Sequence, residues 1–348
     1  MTTPFILPQT PREAVTALLR RLPSRRMRSV IERRFGLTGG EKATLEAIGR
    51  DYKITRERVR QIEADALKFL RKDENLVELE PLFRAVGDHL KSRGEVMTEH
   101  QLLSSYEKPQ YRSYLLFLME LGKSFTSLSD TSDCQKRWTV NKDRAVLVER
   151  FLNGVVNDLE AKRLPVPHNE LSGYAARSAQ EIFGEIPEQH ILSAYLAMSK
   201  RIGKNPYDEY GLIHWPTVSP SGVKDKAYVA LWKAGKPLHF RDVARAINRA
   251  KWSRKPAHPQ TVHNELIKDS RFVLVGRGLY ALQEWGYEPG SVKEVLRSVF
   301  KNSGRPLTKD EIVHLILEKR AVKPQTILLN LQNRSLFKKT SDGKFALV

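Results

Sequence analysis

Arg56, Glu57, Arg60, Gln61 and Lys68 are spaced to line one side of a helix. Val59, Ile62, Ala66, Phe69 and Leu70 fall on the other side at about 100° per residue. The segment opens on Thr55, a good N-cap. It follows the short amphipathic stretch Thr44 to Arg50 and the tight connection Asp51-Tyr-Lys-Ile54. A short helix, a tight turn and a longer helix with a polar outer face form a helix-turn-helix pattern. In that arrangement the second helix enters the major groove, with its N-terminal residues at the base edges. The chemistry expected of these side chains is recognition rather than bond-making.

Other candidate constellations do not assemble. Asp158-Leu-Glu160-Ala-Lys162 matches the acidic-x-Glu-x-Lys of some nucleases. Those carboxylates need a strand to aim them at one metal, and here the pattern is helical. His258 and His263 could approach across a helix turn, but no cysteine accompanies them and His239 belongs to another helix. No phosphate-binding Walker loop and no nucleophile elbow is present. Cys134, the one cysteine, excludes an internal disulfide framework and a multi-cysteine zinc site. It lies in an expected hairpin with no basic helix terminus beside it, so it is expected to be unreactive. We therefore expect no enzyme activity, no metal and no cofactor.

Charge points to the partner. The 348 residues carry 59 Lys+Arg and 40 Asp+Glu, for a formal net charge of +19. Residues 1–72 hold 17 basic and 8 acidic side chains, net +9. Residues 73–140 are −3 and residues 141–221 are −1. Residues 222–289 and 290–348 are each +7. Phosphate binding scales with the Lys and Arg gathered on one surface, so the two ends are the candidates for nucleic acid. No apolar run approaches the length of a membrane span. The N-terminus, Met1 to Pro8, lacks the charged start and apolar core of a signal peptide. A cytoplasmic, nucleoid-associated protein with no membrane partner is expected.

The elements that must position these residues read as small helical modules. In residues 10–73, Thr10-Pro11 starts a helix containing Ala14, Val15, Leu18 and Leu19. Pro23 opens a second helix and Gly36 caps it. Arg33-Arg-Phe-Gly-Leu37, Thr44-Leu-Glu-Ala-Ile-Gly49 and Ile54-Thr-Arg-Glu-Arg-Val-Arg-Gln-Ile-Glu-Ala64 closely resemble region 4 of the primary sigma factors of bacterial RNA polymerase. The resemblance implies recognition of promoter −35 DNA and docking on the flap of the polymerase β subunit. It places base reading on Arg56, Glu57 and Gln61, and phosphate contacts near Arg58 and Arg60. The types fit, since Arg forks onto guanine, Glu accepts from cytosine and Gln pairs with adenine. Asp65 and Phe69 depart from the family, which usually has basic residues there. The promoter-melting segment of true sigma factors is not evident, so this chain is not expected to open promoters alone.

Beyond residue 73 a unit repeats. Gly235-Lys-Pro-Leu-His-Phe-Arg-Asp-Val243 matches Gly304-Arg-Pro-Leu-Thr-Lys-Asp-Glu-Ile312. Pro259-Gln-Thr261 and Pro324-Gln-Thr326 follow, and each proline lies 22 residues before an alanine, Ala281 or Ala346. Each unit reads as three helices and a hairpin, the pattern of a winged helix. Segment 222–286, with Asp269-Ser-Arg-Phe-Val-Leu-Val-Gly-Arg-Gly-Leu-Tyr-Ala-Leu282, resembles the HARE-HTH winged helix of the RNA polymerase delta subunit family. That resemblance implies nucleic-acid or polymerase association. Segment 290–348 is a second winged helix, and segments 76–140 and 142–218 are degenerate copies. Trp138, Trp215 and Trp285 are expected to close the copies at equivalent positions. Gln260, Thr261, His263 and Asn264, with Gln325 and Thr326, would face a groove. Arg277 and Lys344 would touch phosphate from the wings.

The fold class expected is mainly α with small β-hairpin wings, as tandem helix-turn-helix and winged-helix modules with thin cores that brace one another. The function expected is a non-enzymatic bacterial transcription regulator binding promoter-like double-stranded DNA and associating with RNA polymerase core. The alternatives are a delta-like polymerase-associated protein that holds nucleic acid non-specifically, or the DNA-recognition part of a restriction or modification system.

Overall fold

The computed structural model describes residues 5–39, 41–320 and 322–348. The first half of the stretch read for a signal peptide therefore lies outside the described residues. The chain is mainly α-helical with small antiparallel sheets. It forms two compact units, Met1–Ala161 with Asn169–Ile202, and Lys162–His168 with Gly203–Val348.

The first unit opens with α1 (Pro11–Arg20), α2 (Arg25–Phe35), α3 (Leu45–Tyr52) and α4 (Arg56–Leu70). Side-chain caps set their starts. Thr10 and Glu13 form a reciprocal capping box, Ser24 accepts from the Arg26 amide, and Thr44 and Thr55 accept from the amides of Ala47 and Arg58. Pro23 thus precedes the Ser24 cap instead of opening α2. The α3 helix also runs further than its sequence suggests, taking in Asp51 and Tyr52, so the reversal falls on Lys53 at φ 53°. The extra turn is held by α2. Arg33 pairs with Asp51, and the Tyr52 hydroxyl donates to Ser29 Oγ at 2.8 Å.

Next come α5 (Asp73–Leu76), α6 (Glu80–Ser92), β1 (Val96–Thr98), α7 (Glu99–Ser105), α8 (Arg112–Leu121), β2 (Thr126–Leu128) and β3 (Arg137–Thr139). One apolar cluster joins Leu18 and Leu19 of α1, Leu37, and Ala66 and Leu70 of α4 to Leu82, Leu115, Phe117 and Trp138. The Phe35 and Phe117 rings lie 4.8 Å apart. Each such buried side chain contributes about 1.5–3 kcal/mol, so the first four helices rest on a floor supplied by α8. A separate small cluster of Val30, Ile48, Val59 and Ile62 holds α2, α3 and α4 to one another.

The chain continues with α9 (Lys142–Lys162), β4 (Val166–Pro167), α10 (His168–Phe183), α11 (Gln189–Leu196), β5 (Ile202–Lys204) and β6 (Glu209–Leu212). Then come α12 (Val223–Ala234), β7 (Leu238–His239), α13 (Phe240–Arg249), α14 (Pro259–Lys268), β8 (Phe272–Gly276) and β9 (Leu279–Leu282). The last elements are α15 (Val292–Ser303), α16 (Lys309–Lys319), α17 (Pro324–Leu331), β10 (Phe337–Lys339) and β11 (Phe345–Leu347).

From α6 onward the order helix, strand, helix, helix, strand, strand recurs. The last strand lies in the middle of each sheet: β1-β3-β2, β4-β6-β5 and β7-β9-β8. In the final segment an isolated bridge from Leu307 to Phe345 stands where the first strand would be. Backbone geometry repeats too. Gly94, Arg163, Gly235 and Gly304 have φ of 87°, 59°, 61° and 62°, and each is five residues before the first residue of a helix. Glycine adopts this left-handed conformation without steric cost, which explains three of the four.

Strand register corrects the expected equivalence of the tryptophans. Met97 pairs with Trp138, Val166 with Tyr210, Leu238 with Tyr280, and Leu307 with Phe345. Trp138 therefore corresponds to Tyr210, Tyr280 and Phe345, whereas Trp215 and Trp285 follow the last strand of their sheets. The shared Trp-Thr-Val spelling aligned residue types at segment ends. Hydrogen-bonded register, which decides what faces the core, aligns different ones.

Candidate nucleic-acid interface

The α4 helix is anchored by burying Val59, Ile62, Ala66 and Leu70, at 0%, 7%, 0% and 0% exposure. With that side fixed, Arg56, Glu57, Arg58, Arg60 and Gln61 are all exposed on the first two turns. The side chains are partly organised. Arg60 donates twice to Glu57, at 2.7 and 2.9 Å, and Arg58 donates to Gln61 Oε1 at 3.0 Å. The Arg60 hydrogen bond is the main cause holding the Glu57 carboxyl below its ordinary value, and the same bond raises Arg60. Among the described residues Arg56 forms no ion pair or side-chain hydrogen bond, so its guanidinium is available to a ligand.

Three features place this helix. A Cβ added at Gly49 on α3 would stand 2.7 Å from the Ile54 carbonyl oxygen. Only glycine lets α3 pass so close to the start of α4. Arg34 on α2 reaches Glu63 on α4 at 3.3 Å and the Ala43 carbonyl at 2.9 Å. Arg26 lies over the Tyr52 ring at 5.1 Å. Sequence reasoning missed the Arg34–Glu63 support because no local pattern links residues that far apart. Gly49 did leave a signal, as a glycine inside an amphipathic helix ahead of a tight turn. Of the two departures from the family's basic pattern, Asp65 is exposed and Phe69 is half-buried, with the Lys72 ammonium 5.2 Å from its ring centre. Lys72 brings a positive charge back beside the Phe69 position.

In the second unit, His258 caps α14 by accepting from the Gln260 amide at 3.2 Å. Gln260, Thr261 and Asn264 are exposed, and Gln260 Nε2 donates to Asn264 Oδ1 at 3.2 Å. His263 meets that face at its edge, with Nδ1 3.5 Å from Gln260 Nε2. It is half-buried, with its ring 4.5 Å from Phe240 and 5.8 Å from Tyr280, and His239 lies on Phe240 at 4.4 Å. The aromatic packing of its own segment outcompetes solvent for the imidazole. Arg277 is exposed at the tip of the β8–β9 hairpin. In the last segment Gln325 and Thr326 are exposed on α17. Lys344 is half-buried, and its carbonyl accepts from the Thr340 amide at 2.8 Å. Exposed Lys338 and Lys339 on β10 present charge more openly, and two adjacent strand lysines were the signal for them. The structure thus groups Gln260, Thr261 and Asn264 on one face with the half-buried His263 at its edge, Gln325 and Thr326 on another, and the α4 set on a third.

The remaining constellations stay apart. Asp158 and Glu160 lie on α9, where Arg177 and Arg201 reach them at 3.8 and 2.9 Å. Cys134 is buried, and that burial pushes its thiol up. Among the described residues no group of three or more His, Cys, Asp or Glu could hold a metal, and no helix is long and apolar enough to cross a membrane.

A capped helix laid over a shorter one at a glycine contact, with charged and amide groups outward on its first two turns, defines a helix-turn-helix module. Residues 18–72 match the family described as Sigma-70, region 4. The RNA polymerase sigma factor SigA of Lactococcus lactis subsp. cremoris is 54% identical over 46 residues, which is 13% of this chain and 13% of the relative. The RNA polymerase sigma factor RpoS of Coxiella burnetii is 53% identical over 55 residues, 16% of this chain and 15% of the relative. The chain thus covers only a small part of these relatives' length. The N-terminal module is a helix-turn-helix similar to sigma region 4.

Proposed function

We propose that this chain is a non-enzymatic bacterial transcription regulator that reads promoter-like duplex DNA with α4 and associates with RNA polymerase core, the β flap being the expected docking point. The observation that carries this reading is the exposed Arg56, Glu57, Arg58, Arg60 and Gln61 face on a helix-turn-helix matched to sigma region 4. Arg56, Glu57 and Gln61 supply base-edge chemistry, and Arg58 and Arg60 supply phosphate chemistry. The neutral faces of α14 and α17, set in segments that are each +7, add largely sequence-independent grip.

Selection of bound sequences from random duplex DNA, with and without purified polymerase, tests the reading. An enriched motif resembling a −35 element is expected in at least one arm. No enrichment in either arm would defeat it. That result would instead favour a delta-like, non-specific polymerase-associated protein, for which the charge on the last two segments is the supporting observation.

A further inference from the structure

Arginines in the first unit differ in their partners. Arg21, Arg33, Arg34 and Arg71 each reach a carboxylate, on Glu78, Asp51, Glu63 and Glu120. Arg12, Arg20 and Arg28 form no ion pair among the described residues, and all three line one cleft of about 700 Å³. Arg12 and Arg20 stand two turns apart on one face of α1. Arg28 enters from α2 with its Nε fixed on the Leu19 carbonyl at 3.0 Å, which leaves its two terminal nitrogens to the cleft. Glu32 is the one carboxylate in the lining. Tyr111 and Tyr114 also line the cleft, edge to face at 6.3 Å, and the Tyr114 hydroxyl donates to the Leu37 carbonyl.

Three guanidinium groups sharing a cleft with a single carboxylate leave a net positive charge, which an anion between them offsets. Their forked geometry matches phosphate oxygens. The volume suits a small molecule. A tyrosine wall adds a surface on which a flat ring can stack. We propose that this cleft binds a nucleoside polyphosphate, with its phosphates on Arg12, Arg20 and Arg28 and its base against Tyr111. The lining comes from α1, α2 and residues 37–39 together with residues 110–114, so a bound ligand would tie the first two helices to the segment that leads into α8. The site is separate from the α4 face and does not depend on the DNA-binding reading.

Calorimetric titration of the full chain with inorganic pyrophosphate, ATP and adenosine tests it. Saturable binding of pyrophosphate and tighter binding of ATP are expected. The double variant Arg12→Ala, Arg20→Ala should weaken both at least about tenfold, as expected when charge-assisted hydrogen bonds are removed. Both side chains are exposed, so its unliganded melting temperature should stay close to that of the unsubstituted chain. The Arg12→Lys, Arg20→Lys variant keeps the charge without the fork and should fall between. Tyr111→Ala should remove the advantage of ATP over pyrophosphate. No saturable binding of pyrophosphate or ATP, or binding that survives the double alanine variant, would overturn the site. ATP binding no tighter than pyrophosphate would overturn the nucleoside assignment. A double variant that lost only duplex DNA affinity would show the cleft to be DNA-binding surface, against the proposal.

Discussion

The outward faces of α4 and α14 differ in kind. On its first two turns α4 presents three guanidiniums, a carboxylate and an amide, several of them tied into i,i+3 pairs. The α14 face presents Gln260, Thr261 and Asn264, with no formal charge, and α17 presents Gln325 and Thr326. Charge in the C-terminal segments lies on the neighbouring helices, as in Arg241 and Lys293, and on strands and turns, as in Arg277, Lys338 and Lys339. The difference teaches a division of labour under the proposed reading. Pre-aimed charged groups suit base edges, whereas neutral faces beside scattered cations suit a phosphate backbone.

The largest perturbation of that contrast is Tyr280→Ala. Tyr280 is 2% exposed and faces Leu238 across the sheet, so truncation should cost about 3–5 kcal/mol and unfold segment 222–286. Urea unfolding would measure the loss, and total DNA affinity should fall while sequence preference persists. Gly49→Ala should do the reverse. Its new Cβ meets the Ile54 carbonyl, costing about 1–3 kcal/mol, and sequence preference should disappear as α4 shifts. Arg56→Ala should weaken binding by about 1–3 kcal/mol and relax preference at one base pair, read by competition against single-base variants of the selected site. The Lys338→Ala, Lys339→Ala double variant should weaken all sequences alike and lower the salt slope by about one for each phosphate that is no longer neutralised.

Acid should separate the two regions most gently. His89 is pushed down to about 4 by burial, with the Arg93 charge adding to it. Its ring stacks on Phe5 at 4.2 Å and lies 3.0 Å from Ser105 Oγ. The folded value lies below the ordinary 6.5, so the neutral ring stabilises the fold above about 6.5 and that contribution is lost as pH falls toward about 4. Urea midpoints of the first unit should drop across that window, and His89→Gln should flatten the drop.

Much of this was legible before the structure. Thr55 and the 3.6-residue period place α4, and Gly235 and Gly304 mark the repeat, because caps, turns and periodicity are written locally. What escaped was long-range. The last turn of α3 depends on Arg33 and Ser29 of another helix. The Trp138, Tyr210, Tyr280 and Phe345 series is visible only through strand register. His263 keeps Nδ1 beside Gln260, while its ring packs on Phe240 and Tyr280, which no local pattern announces. The arginine cleft is assembled from two helices and a distant turn, so no spacing rule could announce it.

The apolar cluster from Leu18 to Trp138 has a practical consequence. The sigma-matched sequence ends at residue 72, but the folding unit does not. A fragment cut there would uncover Leu37, Ala66 and Leu70 together. It should bind hydrophobic dyes, self-associate and melt without a sharp transition, whereas a fragment reaching residue 140 should melt once and cooperatively. The piece that matches sigma factors buries its apolar side on a neighbour, and it is not expected to be transplantable without that neighbour.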